Sequence, residues 1–269
     1  MRGASREAAA AGREALTSAL AVADAASLAD ELFAVASAVD ANPTLRRGLA
    51  DPSRDAAAKQ GIVDRVLAGK VSSAALDVVK ALVGQRWSQD RDLTDTVETL
   101  AVEAVVAGAE RSGEVDRVED ELFRFERAVA GDPELRDVLT NRYGDPAQRA
   151  AVVDRLLQHK ARPETVRLAR QAVLEPRGRK FGRTIEEYLA VAARRREQIT
   201  AVVTAATPLD QADEDRLARA LSGMYGKPVL LQVVVDPSVI GGLRVRVGDE
   251  VIDGTVARKL EGARRHLAG

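Results

Sequence analysis

The sequence predicts a mainly α protein: two tandem helical bundles built from an internal repeat, followed by a small C-terminal α/β module. Three observations predict it. The 269 residues are 46% apolar but only 3% aromatic, so the core must be lined with Ala, Val and Leu, a composition suited to closely packed helices. A long segment recurs further along the chain, and both copies carry apolar residues at helical spacing. After Arg196 the pattern turns β-rich and alternating.

The N-terminal stretch opens with Met1-Arg2-Gly3 and a run of alanines, but Arg6, Arg13 and Glu14 interrupt any signal-peptide core, which leaves an amphipathic helix. The repeat proper begins at Asp30. Laid over Asp120 without a gap, Asp30 to Leu67 matches Asp120 to Leu157 at 16 of 38 positions. The matches include Pro43 with Pro133, Leu45-Arg46 with Leu135-Arg136, and Val63-Asp64-Arg65 with Val153-Asp154-Arg155. Each proline follows an apolar-periodic stretch, where it starts the next helix, and the short turns imply antiparallel neighbours. Leu76, Val79, Leu82 and Val83 in the first copy recur at the spacing of one helical face, as do Val166, Ala169, Ala172 and Val173 in the second.

Leu93 to Arg111 forms another helical stripe through Val97, Leu100, Ala101, Ala104 and Val105. It overlays the end of the second copy, Phe181 to Arg196, and its later part overlays Arg13 to Ala19 at the start of the first. One helix therefore closes the first bundle and opens the second, which predicts a stiff tandem without a flexible linker. The expected domains are 1–105, 106–197 with the shared helix at 93–111, and 198–269. In the last, Ile199 to Ala206 reads as a strand, Thr207-Pro208 breaks it, and Asp210 caps a helix running to about Met224. Val229 to Val235 and the alternating Leu243 to Val247 follow as strands. Gly248-Asp249 turns the chain toward Val251-Ile252, and Thr255 starts a last helix.

Chemistry is sparse. With no cysteine and two histidines, His159 and His266, neither a thiolate nucleophile nor a three-histidine metal site can be assembled. Gly223 to Lys227 lacks the first glycine and the Ser/Thr of a phosphate loop, and Gly241-Gly242 precedes a strand rather than the helix a dinucleotide fingerprint needs. Acidic groups such as Glu119-Asp120-Glu121 and Glu186-Glu187 read as solvated faces. No catalytic residue, cofactor or metal ligand is expected. The net charge of -1 excludes a generally basic nucleic-acid binder. Arg162 to Glu197 is locally basic, with ten Arg/Lys against five Asp/Glu, but lacks interleaved aromatics, so an acidic protein partner suits it better than nucleic acid. Trp87 reads as a packing residue. No stretch approaches the roughly 18 uncharged apolar residues of a membrane span.

Val233 to Asp249, with Asp236-Pro237-Ser238-Val239-Ile240-Gly241-Gly242 at its centre and Val251-Ile252-Asp253-Gly254-Thr255 after it, closely resembles the C-terminal signature of the F-type ATP synthase delta subunit family, whose mitochondrial counterpart is the oligomycin-sensitivity-conferring protein. Ala201 to Leu209 and Ser5-Arg6-Glu7-Ala8 resemble the family's strand-to-helix entry and first helix. The chain departs from the family in carrying a second helical bundle. The resemblance implies a non-catalytic stator subunit of a proton-translocating ATP synthase, on the cytoplasmic face of the cell membrane. Its bundle would hold the N-terminal helices of the alpha subunits and its C-terminal module the b subunit. It also implies that Ala9, Leu16 and Leu20 with Leu76, Val79 and Leu82 frame the groove for an alpha-subunit helix. Asp236, Pro237, Gly241, Gly242, Gly248 and Asp253 would form turns rather than touch a partner. The exposed part of the last helix and the basic Arg177 to Arg183 segment are candidate contacts for the b subunit or a neighbouring subunit. The competing reading is a free-standing helical adaptor or nucleic-acid-binding repeat protein.

Overall fold

The computed structural model describes residues 3–141, 143–197, 199–225, 227–239, 241–247 and 250–253. The chain divides into two compact units, Met1–Arg195 and Arg196–Gly269.

The first unit is all helix: α1 (Gly3–Val22), α2 (Ala25–Asp40), α3 (Pro43–Ala50), α4 (Ala56–Leu67), α5 (Ser73–Gly84), α6 (Asp90–Arg111), α7 (Val115–Gly131), α8 (Pro133–Thr140), α9 (Pro146–Leu157), α10 (Pro163–Leu174) and α11 (Phe181–Glu197). Local chemistry sets the starts. Asp24, Asn42, Asp55, Ser72, Asp132 and Asp145 each accept a backbone N–H from the first turn that follows. Pro43, Pro133, Pro146 and Pro163 occupy the first turns of their helices, where a missing N–H costs nothing. The repeat is visible as a constant offset: α2 to α5 start at Ala25, Pro43, Ala56 and Ser73, and α7 to α10 at Val115, Pro133, Pro146 and Pro163. Glu31 and Glu121, equivalent under that offset, do the same work. Glu31 accepts the N–H and hydroxyl of Ser72 at the start of α5, and Glu121 accepts Arg162 N–H and Thr165 Oγ1 at the start of α10. Glu121 is thus a helix-capping group and not part of a solvated face. Burial pushes its carboxyl up, but these hydrogen bonds outweigh it and hold the group below the usual glutamate value.

The core explains the double use of one helix. In α6 nearly every residue from Leu93 to Ala107 is buried, so the helix needs cover on all sides. It packs against α1, α2, α3 and α5 of the first copy and against α7 and α10 of the second. A single apolar cluster runs from Ala8 through Leu100 to Ala192. The copies are stitched across it by polar pairs: Asp30 with Arg167 at 2.8 Å, Ser37 with Glu175 at 2.7 Å and Glu110 with Arg195 at 2.8 Å. Among the described residues no helix is long and apolar enough to cross a membrane.

The second unit contains β1 (Ile199–Ala205), α12 (Gln211–Tyr225), β2 (Val229–Val235), β3 (Leu243–Val247) and β4 (Glu250–Asp253). The sheet order is β2-β1-β3-β4, with β1 parallel to β2 and antiparallel to β3, which pairs antiparallel with β4. The parallel pair needs a crossover, and α12, capped by Asp210 accepting Asp213 N–H at 2.8 Å, supplies it. Alternation puts Ala201, Val203 and Val245 on the core face under Leu221, while Arg244 and Arg246 pair opposite Thr204 and Val202 on the other. The expected last helix from Thr255, with His266, and the Gly226 helix stop lie outside the described residues.

Candidate docking surfaces

The six residues expected to frame a groove lie on α1 and α5, and these helices do pack together. The side chains, however, face inward. Leu16, Val79 and Leu82 are at most 2% exposed, and Ala9 and Leu20 are also buried. Gly12 lets the helices approach so closely that a Cβ there would stand 2.4 Å from Leu82 Cδ2. Five of the six therefore belong to the core that α1 and α5 bury against each other and against α6, because apolar spacing marks the face that helices bury first. Leu76 alone is half-buried, and with Ala15 and Ala74 it is what these helices leave partly uncovered. Trp87 packs inward, its indole N–H donating to Leu82 C=O at 3.0 Å.

The locally basic stretch is corrected more sharply. Arg177 and Arg179 turn inward onto Glu98, a carboxylate on α6 that is 2% exposed. Arg177 Nη1 lies 2.7 Å from Glu98 Oε2, Arg179 Nη2 lies 2.5 Å from Oε1, and the Tyr188 hydroxyl donates to Oε1 at 2.9 Å. Arg177 also faces Asp95 at 2.8 Å and Asp40 at 3.5 Å, so its charge is shared among residues of both copies. It sits in the left-handed region at φ 48°, beside Gly178 at φ 80°, a conformation this network holds in place. Burial and the neighbouring Glu98 carboxylate push the Tyr188 phenol well above its ordinary value, and burial outweighs Arg177 in raising the Asp95 carboxyl. Arg183 is engaged by Glu186 and Glu187. Arg177 and Arg179 are therefore internal struts and not a surface for the b subunit. Spacing gave no sign of this set; its one sequence signal is that acids, Asp95, Glu98 and Glu103, interrupt the otherwise apolar Leu93 to Ala109 stripe.

A second groove, about 900 Å³, lies between the copies, lined by Phe33, Val166 and Leu174 and edged by the Asp30–Arg167 pair. His159 borders it at φ 62°, just past the end of α9. The first-copy equivalent is Gly69 at φ 73°, so both helices end through a left-handed residue.

In the second unit the signature segment is a turn. Asp236 N–H donates to Ala205 C=O at 2.8 Å, and its carboxylate accepts Ser238 N–H at 2.9 Å; the Ser238 hydroxyl, and then this N–H, hold its pKa below the usual value. Pro237 lies within that turn, and Gly241 and Gly242 have φ of 62° and 83°, values that favour glycine. Asp253 ends β4, and Gly248 lies outside the described residues.

Residues 102–267 match the sequence model of the ATP synthase delta (OSCP) subunit family. The match begins inside α6, so it takes in the second copy and the α/β unit and leaves the first copy outside. Similarity to individual relatives covers nearly the whole chain. An ATP synthase subunit delta of Kineococcus radiotolerans is 52% identical over 247 residues, covering 92% of this chain and 90% of its own. One from Streptomyces griseus is 46% identical, with both chains covered completely. One from Streptomyces avermitilis is 47% identical over 99% of this chain and 98% of its own. With the signature turn built as the sequence required, and relatives that carry the extra helical copy at this level of identity, the chain belongs to the ATP synthase delta (OSCP) subunit family.

Proposed function

We propose that this chain is a non-catalytic connector of an F-type ATP synthase, holding the catalytic head to the membrane-anchored b subunit on the cytoplasmic side. Membership of the delta (OSCP) family assigns it to the peripheral stalk, and that membership, over almost the full length of its relatives, is the observation that carries the reading. In the finer reading, bundles 1–105 and 106–197 are two docking bodies sharing α6, and 198–269 is the b-subunit module. Several separate helix-in-groove contacts on one body raise effective concentration, so one contact holds while another opens under torque.

The α1/α5 face is the favoured seat for an alpha-subunit N-terminal helix. Under the repeat, α1 corresponds to α6 from Leu93 onward, and the outer side of α6 is covered by α2. Among the described residues α1 packs chiefly against α5 and α6, and its outer side, with Ala10, Ala11, Ala15 and Val22, has no such cover. Leu76 borders it from α5. Calorimetric titration of an alpha-subunit N-terminal peptide onto the full chain tests this. Leu76→Asp together with Ala15→Asp should weaken binding on the order of tenfold, about 1.4 kcal/mol, with the helical circular dichroism retained. Unchanged affinity would remove this face from the interface, and failure to co-purify with alpha and b subunits would remove the connector function itself.

A further inference from the structure

The repeat allows one bundle to be compared with the other position by position. In the first copy Arg46 is neutralised twice, by Asp40 at 3.2 Å and Asp90 at 2.9 Å. Its second-copy equivalent is Arg136, and the residues standing where those carboxylates stood are Ala130 and Lys180. Lys59, 2% exposed, donates to Gln85 C=O at 2.8 Å. Its equivalent is Arg149, 6% exposed, whose Nε has no hydrogen-bond partner. Leu82, fully buried in the first copy, is replaced by Ala172, and Trp87 by Arg177, which turns away to Glu98. The same fold is filled and neutral in one copy, and opened and cationic in the other.

The opening is a cavity of about 730 Å³ among α7, α8, α9 and the start of α11, lined by Arg136, Arg149 and Lys180 with Val129, Leu139 and Phe181. Among the described residues no carboxylate forms an ion pair with any of these three cations. Two carboxylates lie in the wall, Glu126 beside Gly182 and Glu186, which is paired with Arg183, so the cations are in excess. Arg179 and Arg183, also in the wall, are already engaged by Glu98, Glu187 and Glu186. A buried guanidinium with an unused donor, at a pocket of small-molecule size with an apolar wall, is suited to a doubly charged oxyanion on an organic body.

We propose that the second bundle carries a binding site for a phosphate-bearing small molecule, its phosphate held by Arg136, Arg149 and Lys180 and its body against Val129, Leu139 and Phe181. The first bundle lacks this site because Asp40, Asp90 and Leu82 occupy it.

Isothermal titration of pyrophosphate onto the full chain at fixed ionic strength tests the proposal. The wild type should bind one equivalent at submillimolar concentration. Ala130→Asp returns to Arg136 the carboxylate that the first copy has, at an exposed position that leaves the core untouched, and should weaken binding on the order of tenfold or more. Ala172→Leu, which restores the first copy's filling residue, should do the same. Arg47→Gln, an exposed charge on the first copy, should leave affinity unchanged. No binding by the wild type, equal affinity in Ala130→Asp and Ala172→Leu with native circular dichroism, or equal weakening by Arg47→Gln would each overturn the site.

Discussion

Replacing Glu98 by Gln should destabilise the helical unit far more than a single surface ion pair would. The carboxylate is almost fully buried and serves Arg177, Arg179 and Tyr188 together, and the Arg177 side chain is only 5% exposed. Removing one member of a buried pair leaves a charge without compensation and costs about 3–5 kcal/mol. Asp95 and Asp40 still face Arg177, which places the expected loss at the lower end, about 3 kcal/mol. For a unit of this size each kcal/mol lowers the unfolding temperature by about 2–4 °C, so the transition should fall by about 6–12 °C. Differential scanning calorimetry of the full chain near neutral pH measures it. The double variant Glu98→Leu with Arg177→Met should recover part of the loss, because both charges leave the interior together. A drop below about 2 °C for Glu98→Gln, or a double variant as unstable as the sum of its parts, would refute the idea that this network holds the two copies together.

Gly12→Ala should cost about 1–3 kcal/mol, read as a lower urea midpoint, since the added Cβ would lie 2.4 Å from Leu82 Cδ2 and 3.0 Å from Leu100 Cδ1. Stability should fall as pH rises through about 10. The buried Tyr188 phenol keeps its proton while the unfolded chain releases it, so stability fully present below the unfolded pKa is lost above it; Tyr188→Phe should flatten that limb of a urea-midpoint profile. The acid limb has the opposite origin. The hydrogen bond from Arg46 holds Asp90 below 3.8, so stability present above that value is lost as pH falls through the folded pKa, and Asp90→Asn should reduce the slope.

Much of the fold was legible in the sequence because its signals are local. Helix starts came from Pro43 and Pro133, strands from alternation through Leu243 to Val247, and the turn from Asp236 to Gly242, each needing only residues a few positions apart. The family was legible from that same turn, and the double use of the Leu93 to Arg111 helix from the overlay of the repeat on itself. The docking residues were less so. Spacing in α1 and α5 identifies an apolar face, but a face buried against a sister helix and one open to a partner carry the same period, and here Leu16, Leu20, Val79 and Leu82 are of the first kind.

What the sequence determined by itself was the set of elements, the repeat and the family, all written in short-range patterns. What only the tertiary structure decided was which charges meet. The arginines at 177 and 179 read as a basic surface until packing brings them to Glu98, whereas Arg136 reads as the equivalent of Arg46 until packing leaves it, with Arg149, without a carboxylate partner at a cavity. The physical reason is that a charge's free energy depends on its partners and its burial, and both are set by residues tens of positions away in the chain.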